Sequence, residues 1–139
     1  MVSQKERYQA LARAARTAKL QAYAPYSHFR VGAALLAQDG SIHTGCNIEN
    51  SSYGLTICAE RTAIFKAVSE GKRDFVALAI ATDEPGYTPP CGACRQVLFD
   101  LAGDIRIIMT NSKTQLKVVR LKSLLPLAFS SKNLKQIRR

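Results

Sequence analysis

Three cysteines and one glutamate, placed at the starts of two helical patterns, constrain this chain more than any other feature. Cys58-Ala59-Glu60 lies at the head of a pattern running from about Ile57 to Glu70, and Cys91-Gly92-Ala93-Cys94 heads another from about Cys91 to Leu101. Between them Phe75–Ala81 is a nearly continuous apolar run of strand length, and Ile105–Met109 is a second one after the later helix. Runs of this kind are buried on both faces. Strand, helix, strand in that order needs a crossover connection and hence parallel pairing, which makes the fold class α/β. A fold that apposes the two helix starts would bring three thiols and one carboxylate to a single point.

The remaining elements follow from local signals. Ser3 with Glu6 reads as a capping box, and Tyr8, Leu11, Ala15, Ala18 and Ala22 recur at helical spacing, predicting a first helix that ends near Tyr23. Ala24-Pro25-Tyr26-Ser27 breaks it, because the residue before a proline is pushed out of the helical region. Arg30–Ala37 and Ser41–Ile48 are expected strands, joined at the hairpin signal Asp39-Gly40. Ala59, Ala63 and Ala67, with Ile64, Phe65 and Val68, give the second helix an apolar surface around much of its circumference, as a sandwiched helix requires. Gly71 and Gly103 are placed to stop the second and third helices. Leu116–Leu121 is the fifth strand, followed by a short helical turn and a basic tail at about 131–139.

The 139 residues suit one domain, 1–139, with a core that needs no disulfides. No stretch approaches the roughly 20 apolar residues of a spanning helix, and the first residues lack the apolar core of a signal peptide, so no membrane partner and a cytoplasmic location are expected. In a reducing compartment four cysteines are metal ligands or free thiols rather than a disulfide framework. The net charge of +10 is concentrated at the ends: residues 1–23 carry five Lys/Arg against Glu6, residues 104–139 carry nine against Asp104, and residues 24–103 carry six against eight acids. With the chemistry in the slightly acidic middle, the basic excess reads as solvated outer surface.

Cys91 and Cys94, at i and i+3, face the same way on a first helical turn, where unsatisfied N–H groups favour thiolate. Alone, this spacing fits a redox pair, two buried thiols or a metal site equally well. Cys58 as a third ligand favours the metal, and three protein ligands plus water is the open coordination of catalytic zinc. Cys46, His28 and His43 are read as a small buried thiol and ordinary loop or strand histidines rather than a fourth ligand. Glutamate in a first helical turn often only complements the dipole, but a non-ligand Glu beside Cys ligands and a Pro-Cys-x-x-Cys run, here with Pro90, is the arrangement of zinc nucleobase deaminases.

Four segments carry a resemblance through nearly the whole chain: Phe29-Arg30-Val31-Gly32-Ala33-Ala34, Gly45-Cys46-Asn47-Ile48-Glu49-Asn50-Ser51-Ser52-Tyr53, Cys58-Ala59-Glu60-Arg61-Thr62-Ala63 and Pro90-Cys91-Gly92-Ala93-Cys94-Arg95-Gln96-Val97-Leu98. In these the sequence resembles the small homotetrameric zinc-dependent cytidine deaminases. The resemblance implies a three-layer fold, a mixed five-stranded sheet flanked by helices, with one Zn²⁺ per chain on Cys58, Cys91 and Cys94 and Glu60 as the proton shuttle. It implies that Asn47 and Glu49 bind the ribose hydroxyls, that Phe29 and Ala59 line the substrate pocket, and that Arg61 hydrogen-bonds the zinc thiolates. Phe29 as plain core and Asn47 as a turn cap are the alternatives; a buried Asn/Glu pair without a polyhydroxyl partner is expected to be unsatisfied. Leu124-Leu125-Pro126-Leu127-Ala128-Phe129-Ser130 is similar to the segment whose phenylalanine covers the base in a neighbouring subunit's site, with Phe129 the candidate. Leu127 stands where that family usually has Gly, which restricts the backbone.

The implied reaction is hydrolytic deamination of cytidine and 2'-deoxycytidine to the uridines with release of ammonia, a step of pyrimidine salvage. A polynucleotide deaminase or RNA-binding protein of the same fold is the main rival, favoured by the basic ends and disfavoured by the scarcity of aromatic stacking platforms in them. A structural zinc protein and a deaminase of modified nucleosides are the others. Glu60 speaks against the first of these and Asn47-Ile48-Glu49-Asn50 against the second.

Overall fold

The computed structural model describes residues 2–137. Helix α1 (Gln4–Lys19) starts on a complete capping box, in which the Ser3 hydroxyl accepts from the Glu6 N–H and the Glu6 carboxylate accepts from the Ser3 N–H. It stops earlier than its pattern suggests. The amides of Gln21 and Ala22 tighten onto carbonyls three residues back, and the Tyr23 N–H donates to the Asn47 carbonyl, which draws the chain into the sheet edge.

Strands β1 (Val31–Ala37) and β2 (Ile42–Cys46) form the expected hairpin, with Gly40 at φ 92° in its turn. The second strand is shorter than Ser41–Ile48, because Ile48 leaves the ladder to bridge Tyr23 and Ile57 instead. Helix α2 (Ala59–Ser69), strand β3 (Phe75–Thr82), helix α3 (Gly92–Ala102) and strand β4 (Arg106–Thr110) supply the crossover, and β3 and β4 pair in parallel. Strand β5 (Leu116–Arg120) closes the sheet antiparallel to β4, giving the order β2-β1-β3-β4-β5. The mixed five-stranded sheet is the one expected. A short helix α4 (Leu121–Leu124) follows, and the basic tail is a 3₁₀ segment over Ser131–Ile137, while Arg138 and Arg139 lie outside the described residues.

Helices cover both faces, so alternate residues of one strand serve two cores. Ala34 and Leu36 of β1 with Ala77, Ala79 and Ala81 of β3 pack on Tyr8, Leu11 and Ala15 of α1. Ala33 and Leu35 with Leu78, Ile80 and Ile107 pack on α2 and α3 through Ala63, Ile64, Ala67 and Leu98. Two glycines set the approach of the helices. A methyl group on Gly32 would stand 2.1 Å from the Ala15 carbonyl oxygen of α1, and one on Gly45 would stand 2.5 Å from the Ala63 nitrogen of α2. Both helices therefore ride directly on strand backbone.

Candidate metal and active site

The crossover brings the N-termini of α2 and α3 together. Cys58 and Cys91 are their N-cap residues, both extended, at φ −77°, ψ 154° and φ −67°, ψ 168°. Neither thiol caps its own helix, so each is free to turn toward the other. The Cys58 and Cys91 sulfurs lie 3.8 Å apart, the Cys91 and Cys94 sulfurs 3.5 Å apart, and all three within 4.8 Å of one another. Tetrahedral zinc with bonds of about 2.3 Å needs sulfurs about 3.8 Å apart, so the cluster fits that ion in donor type and spacing. Among the described residues it is the one such group. Cys46 is outside it, and His43 instead pairs with Glu70 at 3.1 Å.

The cluster is electrostatically prepared. Cys58 is pulled down to about 5, first by a hydrogen bond from Cys94 and then by Arg61. The Cys94 thiol, as donor to that thiolate and buried, is pushed up. Arg61 Nη2 donates to Cys58 Sγ at 3.3 Å, and the thiolates raise its own affinity for its proton. Its buried Nε has no partner among the described residues. One turn of helix thus carries a candidate ligand, Cys58, and its counter-charge, Arg61.

Glu60 sits between them and is 5% exposed. Burial pushes its carboxyl up to about 7, with the Cys58 thiolate adding to the effect and Arg61 opposing it. A carboxyl that titrates near neutrality can both accept and return a proton there.

Above the sulfurs opens a cavity of about 260 Å³. Its wall includes Cys58, Ala59, Glu60 and Cys91 from the starts of α2 and α3, together with Phe29, Asn47 and Glu49. Seven of the residues singled out in the sequence therefore share one cavity. Phe29 is 37% exposed and belongs to the pocket rather than the core. Cys94 lies buried behind the wall. Phe129 does not enter the cavity of its own chain. It is 57% exposed and lines a separate cleft with Phe65, Val97 and Leu134, where its carbonyl accepts from Gln96 Nε2 at 2.9 Å. Leu127, two residues earlier, takes φ 53°, the left-handed region that a glycine would enter freely.

The expectation that Asn47 and Glu49 are buried and unsatisfied needs correction. Asn47 Oδ1 accepts from the Val31 N–H at 2.9 Å and its Nδ2 donates to the Phe29 carbonyl at 2.7 Å. Glu49, only half-buried, accepts from the Tyr26 and Ser27 amides at 3.0 and 3.1 Å and from the Ser27 hydroxyl. Backbone groups supply most of what a ligand was expected to supply. Ser27, which also lines the cavity, is the residue that sequence reading passed over as part of a helix break. Thr88 and Pro89 of the loop before α3 also line the cavity and have no spacing signal of their own.

Three thiols, a buried carboxylate and a small cleft beside them define a zinc-dependent hydrolase site. Over residues 5–110 the chain matches the family described as the cytidine and deoxycytidylate deaminase zinc-binding region, and it belongs to that family. It is 55% identical over 118 residues to a cytidine deaminase of Sporosarcina psychrophila, covering 84% of this chain and 87% of that one. To a cytidine deaminase of Halalkalibacterium halodurans it is 50% identical over 127 residues, covering 91% and 96%. Its fold superposes on a crystal structure of cytidine deaminase from Burkholderia pseudomallei with a TM-score of 0.85 at 45% identity, covering 92% of this chain and all of the other. No helix among the described residues is long and apolar enough to cross a membrane.

Proposed function

We propose that this chain hydrolyses the 4-amino group of cytidine and 2'-deoxycytidine, releasing uridine or 2'-deoxyuridine and ammonia. The observation that carries the reading is the closeness of the three sulfurs to a buried, near-neutral carboxyl on the wall of one cavity. Cys58, Cys91 and Cys94 hold one zinc ion per chain. When bound, the metal supplies Lewis-acid chemistry that makes hydroxide available from water near neutrality. Glu60 takes the proton released from water and delivers it to ring N3, which makes C4 electrophilic. The water's oxygen adds to C4; Glu60 then takes the proton of the hydroxyl now on C4 and passes it to the amino group as the C4–N bond breaks, so that C4 becomes a carbonyl, N3 keeps its proton and ammonia leaves. Arg61 offsets the charge of three thiolates on a divalent ion, a sum of −1 that would otherwise make the proton harder to remove.

Phe29 and Ala59 flank the nucleoside, and Asn47 and Glu49 meet its sugar hydroxyls. The working assembly is a homotetramer in which Phe129 of a neighbouring copy covers the base, in keeping with its position outside its own cavity. The test is ammonia release from cytidine, 2'-deoxycytidine and a cytidine-containing oligonucleotide, with zinc measured in the same sample and subunit number by sedimentation. Rapid turnover of the nucleosides alone is expected. Reaction of the oligonucleotide alone would overturn the reading in favour of a polynucleotide substrate.

A further inference from the structure

We infer that Ser27 is a positioning residue for sugar recognition, its hydroxyl clamping the Glu49 carboxylate so that a single acceptor site is left for one sugar hydroxyl. This rests on the reading of Glu49 as the sugar-binding acceptor. A carboxylate has about four lone-pair sites. The Tyr26 and Ser27 amides both donate to Glu49 Oε1, which fills that oxygen, and the Ser27 hydroxyl donates to Oε2. One site on Oε2 remains.

The clamp is built by the backbone. His28 takes φ 58°, and its N–H donates to the Ala24 carbonyl at 3.0 Å, which reverses the chain within one turn. The reversal brings the Phe29 N–H to 3.0 Å from Ser27 Oγ, so this hydroxyl accepts from one cavity residue while donating to another. With its acceptor role taken by Phe29, the hydroxyl proton is directed at Glu49. The Ser27 bond is also the main cause holding the Glu49 carboxyl below its ordinary range. Asn47, with Oδ1 and one Nδ2 hydrogen engaged by backbone, keeps a second Nδ2 hydrogen free of the Phe29 bond. Donor and acceptor together suit one hydroxyl that both gives and accepts a hydrogen bond, rather than a diol.

The experiment compares wild type, Ser27→Ala, Ser27→Thr and Glu49→Gln on cytidine, 2'-deoxycytidine and 2',3'-dideoxycytidine, with zinc content and Tm recorded for each. Ser27→Ala is expected to raise KM about 5- to 20-fold for the two nucleosides that carry a 3'-hydroxyl, with kcat within about twofold of wild type. The KM for 2',3'-dideoxycytidine should not move, and Ser27→Thr, which keeps the hydroxyl, should restore wild-type values. An equal rise for all three substrates would overturn the inference, since it would mean general damage to the cavity. So would unchanged KM in Ser27→Ala while Glu49→Gln raises it. If Glu49→Gln itself leaves the hydroxylated nucleosides unaffected, the underlying reading of Glu49 is the one that fails.

Discussion

The starts of α2 and α3 share a backbone geometry and differ in what stands behind them. Both begin on an extended cysteine whose thiol is not spent on capping. Behind α2 the strand approaches so closely that Gly45 leaves no room for a side chain, and Glu60 in the first turn is buried. Behind α3 nothing stands within 4 Å of where a Gly92 side chain would begin, and Gly92 and Ala93 are exposed. Helix α3 is held further along, by buried Leu98 and by Arg95, whose guanidinium donates to the carbonyls of Pro90 at 2.8 Å and Leu124 at 2.9 Å. Equal caps aim thiols, whereas only the jammed helix can perturb a carboxyl. On the proposed reading, one helix start holds the metal, and the other holds it and tunes the group that moves protons.

The largest expected effect separates these duties. Cys94→Ala should abolish both zinc binding, measured by metal analysis after dialysis, and turnover. Glu60→Ala should retain zinc and the cooperative melt while turnover falls by about 10²–10⁴-fold; loss of zinc in this variant would erase the distinction between the two helix starts.

Next in size is a pH effect on the zinc-free protein. The Glu60 carboxyl is raised to about 7 in the fold, so its contribution to stability is fully present below its unfolded value near 4.5 and is lost as pH rises through about 7. Glu60→Gln should therefore melt like wild type near pH 4 and be more stable at pH 8, by on the order of 2–3 kcal/mol in denaturant titrations. Equal stabilities at pH 8 would show that the carboxyl is not desolvated.

A smaller contrast lies between two glycines. Gly45→Ala must push α2 off the sheet and should cost about 1–3 kcal/mol, with weakened zinc affinity because Cys58 moves with the helix. Gly92→Ala meets no atoms and removes a helix-disfavouring residue, so unfolding should show stability unchanged or raised by up to about 1 kcal/mol. Matching losses in the two variants would mean that α3 is as tightly seated as α2.

Much of this was legible without coordinates where neighbours in sequence do the physical work. The Ser3–Glu6 capping box, the Asp39-Gly40 turn, and Gly71 and Gly103 at positive φ after α2 and α3 are local choices of backbone and side chain. The period of the apolar residues similarly dictates two buried faces for β3. The end of α1 was less legible, because the Tyr23 amide is drawn to Asn47, a partner 24 positions away, against a helical pattern that continues through Ala22. The hydrogen-bonding state of Asn47 and Glu49 was misjudged for a related reason: apart from the Ser27 hydroxyl, their partners are main-chain groups of residues 26 to 31, and nearly every residue type offers those.

By itself the sequence determined the α/β class, the candidate ligand set Cys58, Cys91 and Cys94, and the candidacy of Glu60, since residue type, spacing and helix phase suffice for those. Only the tertiary structure decided that the sulfurs converge, that Glu60 titrates near neutrality, that Ser27 grips Glu49, and that Phe129 lies outside its own chain's cavity. Distances and desolvation arise between segments tens of residues apart, and no local pattern encodes how closely two backbones approach.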